Sequence, residues 1–91
     1  MMDNIGCKVI VSGTVQAVGF RYFTREQARL YNLMGHAKNL QCGDVEVVIY
    51  GSREKIAKML KWLEKGPKTA RVTDITVSEI PYRKSNDFVT C

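Results

Sequence analysis

An α+β sandwich, with one antiparallel sheet covered on a single face by two helices, is the fold this sequence predicts, on three observations. Two segments carry apolar residues at helical spacing. The stretches around them read as strands, and a tight turn, QCGD, divides the second strand from the third.

The first strand is Cys7 to Ser12, CKVIVS, rich in β-branched residues. It runs into the small-residue stretch GTVQAVGFR, Gly13 to Arg21, and then into a helix over about Phe20 to Leu33. Phe20, Phe23, Gln27, Ala28 and Tyr31 give that helix its periodicity. Strands follow at about Gly35 to Leu40 and Val45 to Tyr50, and Gly43 offers the positive φ that the intervening hairpin needs. The second helix places Ile56, Met59, Leu60 and Leu63 on one face. Ser52 is its N-cap, Glu54 lies in its first turn, and Gly66 and Pro67 close it. A strand over about Val72 to Ile80 and a short closing strand near Phe88 complete the chain. The order β-α-β-β-α-β is two βαβ halves joined by a hairpin, the ferredoxin-like arrangement.

The 91 residues, 45% of them hydrophobic, suit one domain spanning residues 1–91. The N-terminal apolar run is broken by Lys8 and ends by Ser12, too short for a signal segment or a membrane span, so a cytoplasmic protein with no membrane partner is expected, and nothing in the sequence demands more than a monomer. Cys7, Cys42 and Cys91 form no CxxC pair, and His36 is the only histidine; reduced thiols and no metal site follow, with Cys7 a core residue. The formal charge of +5 attracts anions without choosing among them. Lys55, Lys58, Lys61 and Lys65 alternate with the apolar stripe of the second helix, which is the pattern of a solvated helix face. No RNP1-like run is present, and Tyr22, Phe23 and Tyr31 fall on a helix rather than on central strands, which argues against an RNA-binding module.

The chemistry concentrates in GTVQAVGFR. A strand that passes through a small-residue loop into a helix start leaves backbone N–H groups unpaired and facing one way, an anion cradle. The loop satisfies neither Walker A nor GxGxxG spacing. Val15 to Arg21 does have the spacing of the cysteine-x5-arginine loop of cysteine phosphatases, with valine in place of the nucleophile. A cation at a helix start is disfavoured unless an anion balances it, so Arg21 is expected to offer its planar fork to phosphate oxygens.

Followed eighteen residues after Arg21 by Asn39 in GHAKNLQCGDVEVVIYG, this loop resembles the acylphosphatase signature, a GxVQGVxFR loop before a GxxxN strand and a DG-type hairpin. The similarity extends over nearly the whole chain, including the helix with Trp62 and its Gly-Pro exit. It implies that the backbone of Val15, Gln16, Ala17, Val18, Gly19 and Phe20 donates to phosphate, that Arg21 binds it, and that Asn39 orients the attacking water. It implies hydrolysis of acyl phosphates to a carboxylate and inorganic phosphate, with no cofactor, no metal and no covalent intermediate. Phosphate and sulfate are then competing anions. Where the family usually has glycine this chain has Ala17, and a β-carbon costs on the order of 1 kcal/mol there should the loop require positive φ.

The residues agree with that chemistry. A carboxylate leaving group, with a conjugate acid of pKa about 4, needs no general acid. A loose phosphoryl-transfer transition state asks for positioning and charge stabilisation, which a loop, an arginine and a side-chain amide can supply. His36 is accordingly read as a surface strand residue rather than a base. The alternative is a non-catalytic module of the same fold that keeps the cradle only to bind anions.

Overall fold

The computed structural model describes residues 3–91. The elements are β1 (Asn4–Thr14), α1 (Phe20–Leu30), β2 (Met34–Asn39), β3 (Val45–Ser52), α2 (Arg53–Lys65), β4 (Arg71–Ile80) and β5 (Phe88–Thr90). The sheet has the order β4-β1-β3-β2-β5. Each βαβ half therefore straddles a strand of the other, since β3 lies between β1 and β2, and β1 lies between β3 and β4. That interleaving is the ferredoxin-like sandwich.

The expected antiparallel sheet is present in its four long strands, and the short closing strand adds a parallel edge. β1, β2, β3 and β4 pair antiparallel, but β5 runs parallel to β2, with Gly35, His36 and Ala37 opposite Phe88, Val89 and Thr90. The chain leaves β4 at one edge of the sheet and crosses to the other before it pairs again, and because β2 and β4 run in opposite directions the returning strand lies parallel to β2. Asp87 secures the arrival: its main-chain oxygen accepts from the Gly35 N–H at 3.0 Å, and its carboxylate meets Arg29 of α1 at 3.2 Å. Phe88, fully buried, then inserts into the core.

The core lies between the helices and the inward residues of the central strands, Val9 and Val11 of β1 and Val45, Val47 and Ile49 of β3. α2 matches its sequence reading: Ser52 Oγ accepts from the Lys55 N–H, Ile56, Met59 and Leu63 are buried, and Gly66 ends the helix at φ 70°. α1 differs in its stripe and its end. It buries Phe20, Thr24 and Ala28 at intervals of four, whereas Phe23 stays on the surface, edge-on to Tyr22 at 5.2 Å. It stops at Leu30 rather than Leu33 because Asn32 turns left-handed, at φ 58°. The Leu33 N–H then reaches the Ala28 oxygen at 2.8 Å and the Asn32 N–H the Arg29 oxygen at 3.0 Å, a Schellman closure with asparagine in the usual glycine place. No helix among the described residues is long and apolar enough to cross a membrane.

On the open face of the sheet His36 is held by Glu46, Nε2 to Oε2 at 2.9 Å, and Lys8 approaches the same carboxylate at 3.7 Å. His36 is thus a sheet-face residue, and its hydrogen bond, with Lys8 adding to it, holds the Glu46 carboxyl below the usual carboxylate range.

Candidate active site

β1 and β2 both run antiparallel to β3, so they point the same way and end at the same edge of the sheet. Val11, Val45 and Asn39 form one cross-strand row there, which puts Asn39 two strand spacings, about 10 Å, from β1. Beyond Val11 a bulge at Ser12 and Gly13 bends the strand before the chain enters the loop of residues 15–19.

That loop is fastened at every point except its donor side. Val15 and Phe20, each 1% exposed, pin its two ends to the core, and Phe20 leans on Trp62 of α2 at 6.4 Å between ring centres. Gln16 turns its side chain away from the loop interior, and its amide donates to the main-chain oxygens of Leu40 at 2.8 Å and Asp44 at 2.9 Å. The loop is thereby tied to the hairpin that begins at Asn39. Thr69 Oγ1 donates to the Val18 oxygen at 2.7 Å and closes the far side.

The donor side is set by backbone conformation. Ala17 at φ 62° and Gly19 at φ 80° are both left-handed, with Val18 between them. Such alternation turns consecutive N–H groups toward a common centre, an anion-binding nest. Gly19 is also the N-cap of α1, where no side chain caps the helix and the first turn holds no acid. The positive end of the helix dipole therefore lies beside the same loop, and the charged side chains that line the pocket there, Arg21 and Arg25, are both cationic.

The pocket at this point has a volume of about 240 Å³ and is lined by Val15, Ala17, Gly19, Phe20, Arg21, Tyr22, Arg25 and Thr90. Five of the residues expected from sequence line it. Gln16 and Val18 do not, the first because it serves the hairpin and the second because its side chain packs against the core. Arg21 is oriented by the main-chain oxygen of Cys91, which accepts from Nη1, and Cys91 in turn donates its N–H to Ala37 of β2. Asn39 stands outside the pocket wall. Its Oδ1 is buried and has no hydrogen-bond partner among the described residues.

Sequence reasoning missed Tyr22, Arg25 and Thr90. Arg25 was within reach, since it follows Arg21 by one helical turn on the same face; Thr90 was not, because the parallel docking of β5 brings it there. A larger groove of about 880 Å³ lies at the opposite end of the sheet, along Asn4, Met34, Tyr50 and Tyr82, and contains none of the cradle residues.

Known proteins are similar to this chain in sequence and in overall fold. A family model described as acylphosphatase matches residues 7–90. A protein of Psychromonas ingrahamii named acylphosphatase is 83% identical over 90 residues, covering 99% of this chain and all of its own. Another, from Vibrio vulnificus, is 53% identical over 81 residues, 89% of this chain and 90% of its own. Among solved structures, an acylphosphatase from Coxiella burnetii superimposes with a TM-score of 0.93 at 38% identity, covering 98% of this chain and 94% of that one. The acylphosphatase from Bacillus subtilis does so with 0.90 at 32% identity, covering 96% and 98%. The cradle at the end of β1, the arginine that opens α1 and the asparagine that closes β2 thus stand in a chain that belongs to the acylphosphatase family.

Proposed function

We propose that this chain hydrolyses carboxyl-phosphate mixed anhydrides, yielding a carboxylate and inorganic phosphate. The observation that carries the reading is the loop with two left-handed residues, opening onto an uncapped helix start and Arg21. Phosphoryl oxygens accept from the backbone N–H groups of residues 15–20, and the Arg21 guanidinium adds a charge-assisted pair of donors. The Cys91 oxygen fixes one of its nitrogens and leaves the rest of the fork for the substrate.

Asn39 orients the water. Its unpartnered Oδ1 accepts a water proton, which aims an oxygen lone pair at phosphorus. The water oxygen forms the new P–O bond while the bond from phosphorus to the acyl oxygen breaks, and the electron pair leaves on the carboxylate. The water proton passes to the phosphate product or to solvent. No acid has to protonate the leaving group, because a carboxylate is stable as the anion. The catalytic contribution is pre-set charge at the equatorial oxygens, where a single donor is worth about 10²-fold or more.

The test is hydrolysis of benzoyl phosphate in EDTA by the parent chain, Arg21→Ala and Asn39→Ala, each checked for folding by circular dichroism. Turnover by the parent, with a loss of about 10²-fold or more in each folded variant, supports the reading. A folded parent that binds phosphate and does not turn over would instead be an anion-binding module. Inorganic phosphate and sulfate compete with substrate on this account, and a rate indifferent to both removes the cradle from the mechanism. A reducing, cytoplasmic setting is supported by three unpaired thiols, and we read the working unit as a monomer, which sedimentation of the native chain checks.

A further inference from the structure

The pocket beside the cradle holds a second guanidinium that the hydrolysis described above leaves without a task. Arg25 follows Arg21 by four residues on α1, so the two side chains leave one helix face with Cβ atoms about 5–6 Å apart. Both line the same pocket. The Arg25 side chain is only 29% exposed, and its guanidinium lies 5.3 Å from the centre of the Tyr22 ring, which steadies the plane of the fork. Its Nε is buried and has no hydrogen-bond partner among the described residues.

The nearby carboxylates do not meet that need. Glu26 Oε2 stands 3.5 Å from Nε, well beyond the length of a charge-assisted hydrogen bond. Asp87 is engaged by Arg29 and by the Phe88 N–H. One anion in the cradle satisfies Arg21 and the loop. It does not engage the second, half-buried guanidinium that lines the same pocket one turn further on. In an in-line displacement the acyl group departs opposite the water, and Asn39 does not line this pocket whereas Arg25 does.

We propose that Arg25 determines acyl-group specificity by taking a second anionic group carried on the acyl portion, a carboxylate in the simplest case. The preferred substrates are then acyl phosphates with charge at both ends. The assignment rests on the hydrolytic reading for its substrate class, and its test contains a measurement that does not.

Two comparisons test it. The first is kcat/KM for 3-carboxybenzoyl phosphate over that for benzoyl phosphate, in the parent, Arg25→Gln and Arg25→Lys. The second is calorimetric binding of the inert analogues 3-carboxybenzylphosphonate and benzylphosphonate to the same three proteins. The parent is expected to prefer the carboxylated member by about ten-fold in both, equivalent to about 1.4 kcal/mol. The preference falls to near one in Arg25→Gln and is kept in part by Arg25→Lys, which retains the charge without the fork. A ratio equal in parent and Arg25→Gln overturns the assignment, and so does an equal loss on both compounds that leaves the ratio standing. If the phosphonates show the preference and neither acyl phosphate is hydrolysed, the hydrolytic reading fails and the two-anion recognition stands. If benzoyl phosphate turns over and the phosphonates bind alike, the reverse holds.

Discussion

Replacing Ala17 by glycine should make this protein more stable. Ala17 sits at φ 62°, where an L residue with a β-carbon is strained by roughly 1–2 kcal/mol and glycine is not. Its methyl group is exposed, so removing it forfeits little buried apolar surface. The opposing term is the greater freedom of glycine in the unfolded chain, about 0.4–1 kcal/mol. The balance favours the variant by up to about 1.6 kcal/mol, and each 1 kcal/mol raises Tm by about 4–8 °C for a domain of this size. Thermal unfolding followed by circular dichroism reads this directly. Repeating the scan in phosphate separates two effects: relief of backbone strain appears in both scans, whereas better alignment of the cradle appears as an additional gain with phosphate present. A Tm that stays level or falls in both scans would refute the reasoning, since it would mean that the loop stores no strain at this residue.

Four further expectations follow from the same geometry. Arg21→Ala should weaken phosphate binding as well as turnover, whereas Asn39→Ala should spare phosphate affinity and lose rate; equal affinity losses would count against the division of roles. Gln16→Ala removes two donors from the hairpin while Leu40 and Asp44 keep their backbone partners, so it should cost about 1–2 kcal/mol in urea unfolding and loosen phosphate binding with it. Glu46→Gln should be less stable than the parent above the ordinary glutamate value of 4.5. A carboxyl whose folded pKa is lowered contributes above its unfolded value and stops contributing as the pH falls through the folded one, so the two proteins should converge in acid. Thiol titration should find Cys42 and Cys91 reactive in the native protein and Cys7 only after unfolding, because burial, assisted by Glu79, raises the Cys7 thiol and shields it.

The elements that could be read from the sequence were those whose signal is local. Ser52, Glu54, Gly66 and the stripe from Ile56 to Leu63 fix α2 without reference to the rest of the chain, and Gly43, at φ 102°, takes the conformation its hairpin demands. The early end of α1 escaped notice because asparagine rather than glycine makes the left-handed turn at residue 32. The parallel pairing of β5 escaped because a three-residue strand carries no mark of direction; only the tertiary anchors at Asp87 and Phe88 decide it. In the site, the loop and its arginine were legible as a chemical pattern. The hold of Gln16 on the hairpin and that of the Cys91 oxygen on Arg21 join residues 24 and 70 positions apart, and nothing in the neighbouring sequence announces either.

The central place of β1 has a bearing on how the protein comes into being. Its two partners are β3, which starts at Val45, and β4, which pairs Ile80 with Gly6, so the strand that carries the cradle waits for most of the chain before both its edges are covered. Non-local pairing of this kind sets mixed α/β domains between the fast helical bundles and the slow all-β folds. Until β4 has docked, the cradle loop hangs from a strand with an open edge, and until β5 has docked, Arg21 lacks its anchor. Recovery of phosphate binding after dilution from urea should therefore lag behind the return of helical signal.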